Sequence, residues 1–326
     1  MHLKIQFYFV SWSTIKSVIM KSIGRRHFIH QSAKGIAGAL MASGFSQFSC
    51  ALRGGNKIDR VKLGNTGLKP SRLALGTGTR GYRRTSDQKK LGKENFLNLT
   101  KHAYDRGIRF FETADMYGTH EFVGKALKEF KREKITVLSK VMVYDHQDWY
   151  KTEPFGTSID RFRKELDTDY IDILLLHCMV NGQWPTEYKR YLDGLSEAKE
   201  KSYIKCVGVS CHNLDALKEA ATNPWVDVVQ ARINHQGARM DGPPEEVMKV
   251  LEQAQKNGKG VIGMKIFGCG DLTDEEQREK SLNYVLRSGN VDCMTIGFEN
   301  TGQIDDTVER IMRIVKASPN LPKGEG

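Results

Sequence analysis

From residue 72 onward, short apolar runs alternate with longer stretches whose apolar positions recur every three to four residues. The runs at 72–76, 108–111 (IRFF), 135–139 (ITVLS), 171–176 (IDILLL), 204–209 (IKCVGV), 226–230 (VDVVQ), 261–266 (VIGMKI) and 291–296 (VDCMTI) are brief and rich in β-branched residues. They predict parallel strands buried on both faces. The stretches 95–106, 121–131, 158–166, 188–201, 214–222, 244–257, 274–287 and 303–317 carry the helical period and predict amphipathic helices. Strand and helix alternate through eight units, which fits an α/β protein with a (β/α)8 TIM barrel better than an open sheet. Ahead of the first strand, the polar segment "VKLGNTGLKPSRL" predicts a short N-terminal hairpin.

In such a barrel, chemistry belongs at the C-terminal ends of the strands. The residues there are 77–82, 112–117, Lys140, His177, 210–213, Gln230, 265–270 and 297–300. A tyrosine, a lysine and a histidine at three successive strand ends form a specific set, although each alone would be unremarkable.

The segments carrying these residues resemble the aldo-keto reductase superfamily over about residues 60–318. They are "KLGNTGLKPSRLALGTG", "ETADMYGTHEFVG", "LSK", "DTDYIDILLLH", "KSYIKCVGVS" and "VQARIN". The resemblance implies an NADPH- or NADH-dependent oxidoreductase acting on a small carbonyl or alcohol substrate, whether aldehyde, ketone or sugar. The family's second-strand motif, Asp-Thr-Ala-x-x-Tyr-Gly, falls on Glu112 to Gly118, which puts the catalytic carboxylate at Glu112 and leaves Asp115 at a variable position. It also implies Tyr117 as proton donor, Lys140 as the neighbour lowering its pKa, and His177 as the group orienting the carbonyl.

The chemistry of that set is intelligible on its own terms. Hydride transfer to a carbonyl creates an alkoxide that needs a proton, and a phenol with a pKa near 10 is a sluggish donor at neutral pH. An ammonium about 4 Å away favours the phenolate by roughly 4 kcal/mol at an effective dielectric near 20. Glutamate for aspartate adds about 1.5 Å of reach, so the expectation is retuned rather than abolished activity, with the longer chain folding back to keep the ion pair.

For the cofactor, the resemblance implies contacts from Gly76, Thr77, Ser210, Cys211, Gln230, Lys265, Phe267, Gly268, Gly297, Glu299 and Gln303. Ser210 and Cys211 stand where a Ser-Asn pair holds the nicotinamide carboxamide, and Gln230 is the third carboxamide contact. Lys265 replaces an aromatic residue that stacks on the nicotinamide. Glu299 and Gln303 stand where basic residues grip a 2′-phosphate, so NADH is expected to be at least tolerated. The departures at Glu112, Cys211 and Lys265 keep open a second reading, a non-catalytic or regulatory cofactor-binding barrel.

Charge changes the picture mainly at the N-terminus. Six of the net +11 charges of the 326-residue chain come from Lys4, Lys16, Lys21, Arg25, Arg26 and Lys34, with no acid among residues 1–50. The remaining lysines alternate with acids on helical stretches, which argues against a nucleic-acid partner. The paired arginines, followed by Phe28, Ile29 and a weakly apolar run, resemble a twin-arginine export signal. The expected organisation is therefore an export signal (1–50), within which Met20 is the suspected true start, a linker (51–59), the barrel (60–318) and a tail (319–326). The chain is expected in the periplasm, delivered by the twin-arginine machinery, with its cofactor tightly bound and without a stable membrane span. Cys50 is a candidate lipid anchor, although Phe48 fits a lipobox poorly. The other cysteines show no metal-ligand spacing, and no metal is expected.

Overall fold

The computed structural model describes residues 56–145, 149–318 and 321. The export signal and the lipid anchor expected at Cys50 lie outside them. Eight parallel strands, β1 (Leu73–Gly76), β2 (Phe110–Glu112), β3 (Thr136–Val141), β4 (Ile171–Met179), β5 (Ile204–Cys211), β6 (Val228–Arg232), β7 (Gly260–Met264) and β8 (Cys293–Gly297), pair in chain order, and β8 returns to β1. The expected TIM barrel is thus the observed fold.

Helices follow every strand: α1 (Asp87–Lys90) and α2 (Lys93–Asp105), α3 (His120–Leu127), α4 (Phe155–Leu166), α5 (Trp184–Glu187) and α6 (Lys189–Glu200), α7 (Leu214–Thr222), α8 (Pro244–Lys256), α9 (Glu275–Arg287) and α10 (Thr301–Lys316). The four-residue helices α1 and α5 are too short to leave a period in the sequence. The stretch predicted as 121–131 stops at Leu127 because the chain then tightens into three-residue turns, Glu129 N to Ala126 O and Phe130 N to Leu127 O, both 3.1 Å. No helix among the described residues is long and apolar enough to cross a membrane.

Strand alternation divides the core in two. Leu73, Leu75, Phe111, Val137, Leu174, Val207 and Val229 face the helices, while Ala74, Phe110, Leu138, Ile173, Cys206, Val228 and Ile262 fill the barrel. Val61 and Leu63 from the N-terminal segment join the inner set. That segment doubles back as the sequence predicts, with Val61 N to Pro70 O at 2.9 Å and Leu63 N to Leu68 O at 3.2 Å, but it makes one isolated bridge (Arg60–Ser71) rather than paired strands. Beyond Leu176 the β4–β5 register slips, and Cys178 takes a left-handed φ of 64°. A bulge of this kind re-aims the side chains beside it, and His177 is one of them.

Candidate active site

Tyr117 ends a 3-10 turn, Asp115–Tyr117, that leaves β2. Its ring presses on the β1 loop so closely that a Cβ on Gly78 would stand 2.2 Å from it, and one on Gly81 2.3 Å. Only glycine permits that approach. From β3, the fully buried Lys140 ammonium donates to the Tyr117 hydroxyl at 3.1 Å and to the Thr113 carbonyl at 3.4 Å. The same ammonium is ion-paired with Glu112 of β2, whose other oxygen accepts from the Thr295 hydroxyl at 3.3 Å. His177 meets the Tyr117 ring edge-on, with centroids 5.6 Å apart, and its buried Nδ1 has no hydrogen-bond partner in the protein.

Burial dominates the electrostatics. It pushes the Tyr117 phenol well above its ordinary range, against a weaker opposing pull from Arg232. It lowers the Lys140 ammonium, with Lys265 acting in the same direction. It also lowers His177, helped by the charges of Lys140, His212 and Lys265. The lowering of Tyr117 anticipated from Lys140 is therefore outweighed in the free protein, because a buried phenolate loses more hydration than this neighbour restores. At neutral pH the site holds a protonated phenol and an uncharged imidazole.

Asp115, which the motif register left without a role, is only 2% exposed. Its carboxylate accepts from Arg161 Nη1 and Nη2 at 3.0 and 2.8 Å and pairs with Arg84 at 3.0 Å. It anchors the turn that ends in Tyr117. Ligand atoms of Asp115, His120 and Glu165 lie within 4.8 Å of one another. The two arginines occupy the Asp115 carboxylate, however, and the His120 nitrogens are engaged by Glu165 and Ser139, each at 2.7 Å. This cluster is a polar clamp.

A cavity of about 720 Å³ opens beside Tyr117, within the range of small-molecule sites. Of the residues expected there, Glu112, Tyr117, Gly76, Lys265, Phe267, Gly297, Glu299 and Gln303 line it. Ser210, near the end of β5, and Gln230, in the middle of β6, are register partners. Both are fully buried, and neither Ser210 Oγ nor the Gln230 amide oxygen or nitrogen has a hydrogen-bond partner in the protein. Leaving such groups unpaired costs about 1–3 kcal/mol each. One donor-acceptor hydroxyl beside one amide suits a ligand carboxamide, so these residues fit a nicotinamide.

Other expected contacts are directed elsewhere. The Thr77 hydroxyl bonds that of Thr119 at 2.7 Å, and Gly268 is buried in the turn after β7. Cys211 packs in the core between barrel and helices, where burial pushes its thiol up. Asn213 caps α7, accepting from Asp215 N at 2.8 Å. Trp184 is wholly buried and donates to Ala216 O at 3.3 Å. Tyr82 and Trp149, by contrast, stack edge-to-face at 5.3 Å. The wall also includes Thr273, Arg278, Asp306 and Thr307, none of which the sequence singled out. Arg278 donates to the Thr273 carbonyl and pairs with Asp306 at 3.2 Å. Nothing distinguishes these residues from ordinary polar helix faces until the barrel brings α9 and α10 to one edge.

The fold and site define a TIM barrel with a tyrosine and buried lysine, glutamate and histidine side chains at the C-terminal ends of its strands. The aldo/keto reductase family model matches residues 72–320, and the chain belongs to that family. It is 31% identical over 183 residues to a Glycine max protein named "Probable aldo-keto reductase 1", covering 53% of this chain and 51% of that one. It is 22% identical over 294 residues to L-galactose dehydrogenase of Arabidopsis thaliana, covering 79% and 89% respectively. The holo form of an aldo-keto reductase from Bacillus halodurans superposes with a TM-score of 0.62 at 19% identity, covering 82% of this chain and 98% of that structure.

Proposed function

We propose that the protein is a nicotinamide-dependent oxidoreductase that reduces an aldehyde, ketone or sugar carbonyl, with Tyr117 as the general acid. The observation that carries this reading is the Lys140–Tyr117 hydrogen bond of 3.1 Å, backed by Glu112 at the cavity wall. Because Lys140 donates to the phenol oxygen, the phenolic proton is left to donate elsewhere. As it departs, the ammonium stabilises the growing phenolate by roughly 5 kcal/mol at an effective dielectric near 20, less what Glu112 offsets. The uncharged His177 supplies a hydrogen bond to the carbonyl oxygen, an oxyanion-type contact. The bound nicotinamide would supply the hydride, and Ser210 and Gln230 would hold its carboxamide. Tyr117→Phe removes the proton and should lower kcat by about 10²–10⁴-fold while leaving NADH affinity intact. A variant that keeps wild-type turnover overturns the assignment.

The choice of cofactor follows from the far end of the cavity. Glu299 and Gln303 line it, and the wall's Arg278 is already paired with Asp306. A 2′-phosphate there would meet an acid and an engaged guanidinium, so NADH is accepted at least as well as NADPH. NADPH binding tenfold tighter than NADH would refute this. We further propose that the signal at residues 1–50 directs export of the folded protein with its cofactor tightly bound. Cell fractionation, with mass spectrometry of what co-purifies, tests both points.

A further inference from the structure

We infer that Lys265 makes this site discriminate the oxidation state of its cofactor, holding the reduced, neutral nicotinamide and disfavouring the oxidised, cationic one. The inference rests on the reading of the site as a nicotinamide pocket. Lys265 lines the same cavity as Tyr117 and follows β7 with a left-handed φ of 59°, a conformation uncommon for a residue with a side chain. Its ammonium contacts the Cys269 thiol at 3.5 Å, and among the described residues no carboxylate forms an ion pair with it. The other cations at the site are matched, Lys140 by Glu112, Arg80 by Asp87 and Arg278 by Asp306.

The field of Lys265 reaches the reacting groups, since its charge disfavours the protonated forms of Lys140, His177 and His212. A hydride donor serving a carbonyl at Tyr117 must sit within that same field. The phosphates and riboses are common to both oxidation states, so their interaction with Lys265 cancels in a ratio of affinities. The ring charge does not cancel. Two like charges about 6 Å apart, at an effective dielectric near 20, change the ratio by on the order of a hundredfold. Such a site holds the reduced cofactor more tightly than the oxidised one.

The test uses the full chain freed of bound cofactor, with NADH followed by fluorescence and NAD⁺ by calorimetry, no substrate being present. For the wild type, the expected ratio of Kd for NAD⁺ to Kd for NADH is on the order of a hundred. Lys265→Met should lower it at least tenfold, whereas Lys265→Arg, which keeps the charge, should preserve it. A ratio within threefold of wild type in the methionine variant overturns the inference, as does an arginine variant that behaves like the methionine one. If the wild type binds neither form, the nicotinamide reading itself fails, and this inference with it.

Discussion

Replacing Glu112 by glutamine tests what holds the reacting centre together. In the wild type the carboxylate is 4% exposed and the Lys140 ammonium fully buried, so each charge depends on the other for the hydration it has lost. Glu112→Gln leaves an amide against a buried cation, and breaking a buried pair on one side costs about 3–5 kcal/mol. In a domain of this size that lowers Tm by roughly 10 °C. The cost should depend on pH in a definite direction. Without Glu112, burial, helped by the Lys265 charge, holds the folded pKa of Lys140 below the unfolded value of about 10.4. Between those two values the unfolded chain binds more protons, so stability rises with pH. The penalty is complete below the folded pKa and has gone by the unfolded one.

A double-mutant cycle separates pair from parts. Lys140→Met alone strands the carboxylate and should cost a similar amount, while the double variant Glu112→Gln/Lys140→Met strands no charge. The coupling should therefore exceed about 2 kcal/mol, against the few tenths seen for independent sites. Urea denaturation at pH 7 and at pH 9.5 measures all four proteins. Additive single-variant effects, or a Glu112→Gln protein that loses stability as the pH rises, would refute the argument. Glu112→Asp keeps the charge but retracts the carboxylate by about 1.5 Å, so it should lower kcat about tenfold or more while costing less stability than glutamine.

Three further outcomes follow from named contacts. Gly78→Ala places a methyl 2.2 Å from the Tyr117 ring, and a displacement of the donor by about 1 Å should cost about a hundredfold in kcat/KM with Tm changed by only a few degrees. Asp115→Ala releases Arg161 and Arg84 from the Tyr117 turn. It should destabilise the fold by about 3–5 kcal/mol and lower kcat more than it changes KM, whereas an unaltered kcat would show that the turn holds without this anchor. Burial would raise the Glu165 carboxyl, but hydrogen bonds and charge from His120 and Arg161 bring it to about 2. Its folded pKa thus lies below its unfolded one, and its stabilisation, present above about pH 4.5, is lost as pH falls towards 2. Glu165→Gln should therefore be destabilised at pH 6 and converge with wild type near pH 2 in acid unfolding.

The parts of this protein legible in the sequence are those written in short-range pattern. Eight buried strands each need a near-continuous apolar run, and each returning helix needs one apolar stripe, so the barrel can be read before any contact is known. Tyr117, Lys140 and His177 are legible for the same reason, since a barrel presents its strand ends at one mouth. What escapes is set by side-chain direction and by partners distant in sequence. Asp115 looks interchangeable until Arg161, 46 residues away, closes on it from α4. Trp184 and Cys211 have pocket-like neighbours in sequence, yet one side chain lies beneath α7 and the other between barrel and helices. Arg278 and Asp306 belong to different helices and share a wall only because α9 and α10 flank one edge of the cavity. Pattern locates the site, and the packing of distant residues decides which side chains face it. Lys265 joins the two cases, since its position comes from the strand order, but its consequence depends on its ammonium having no ion pair with a carboxylate among the described residues.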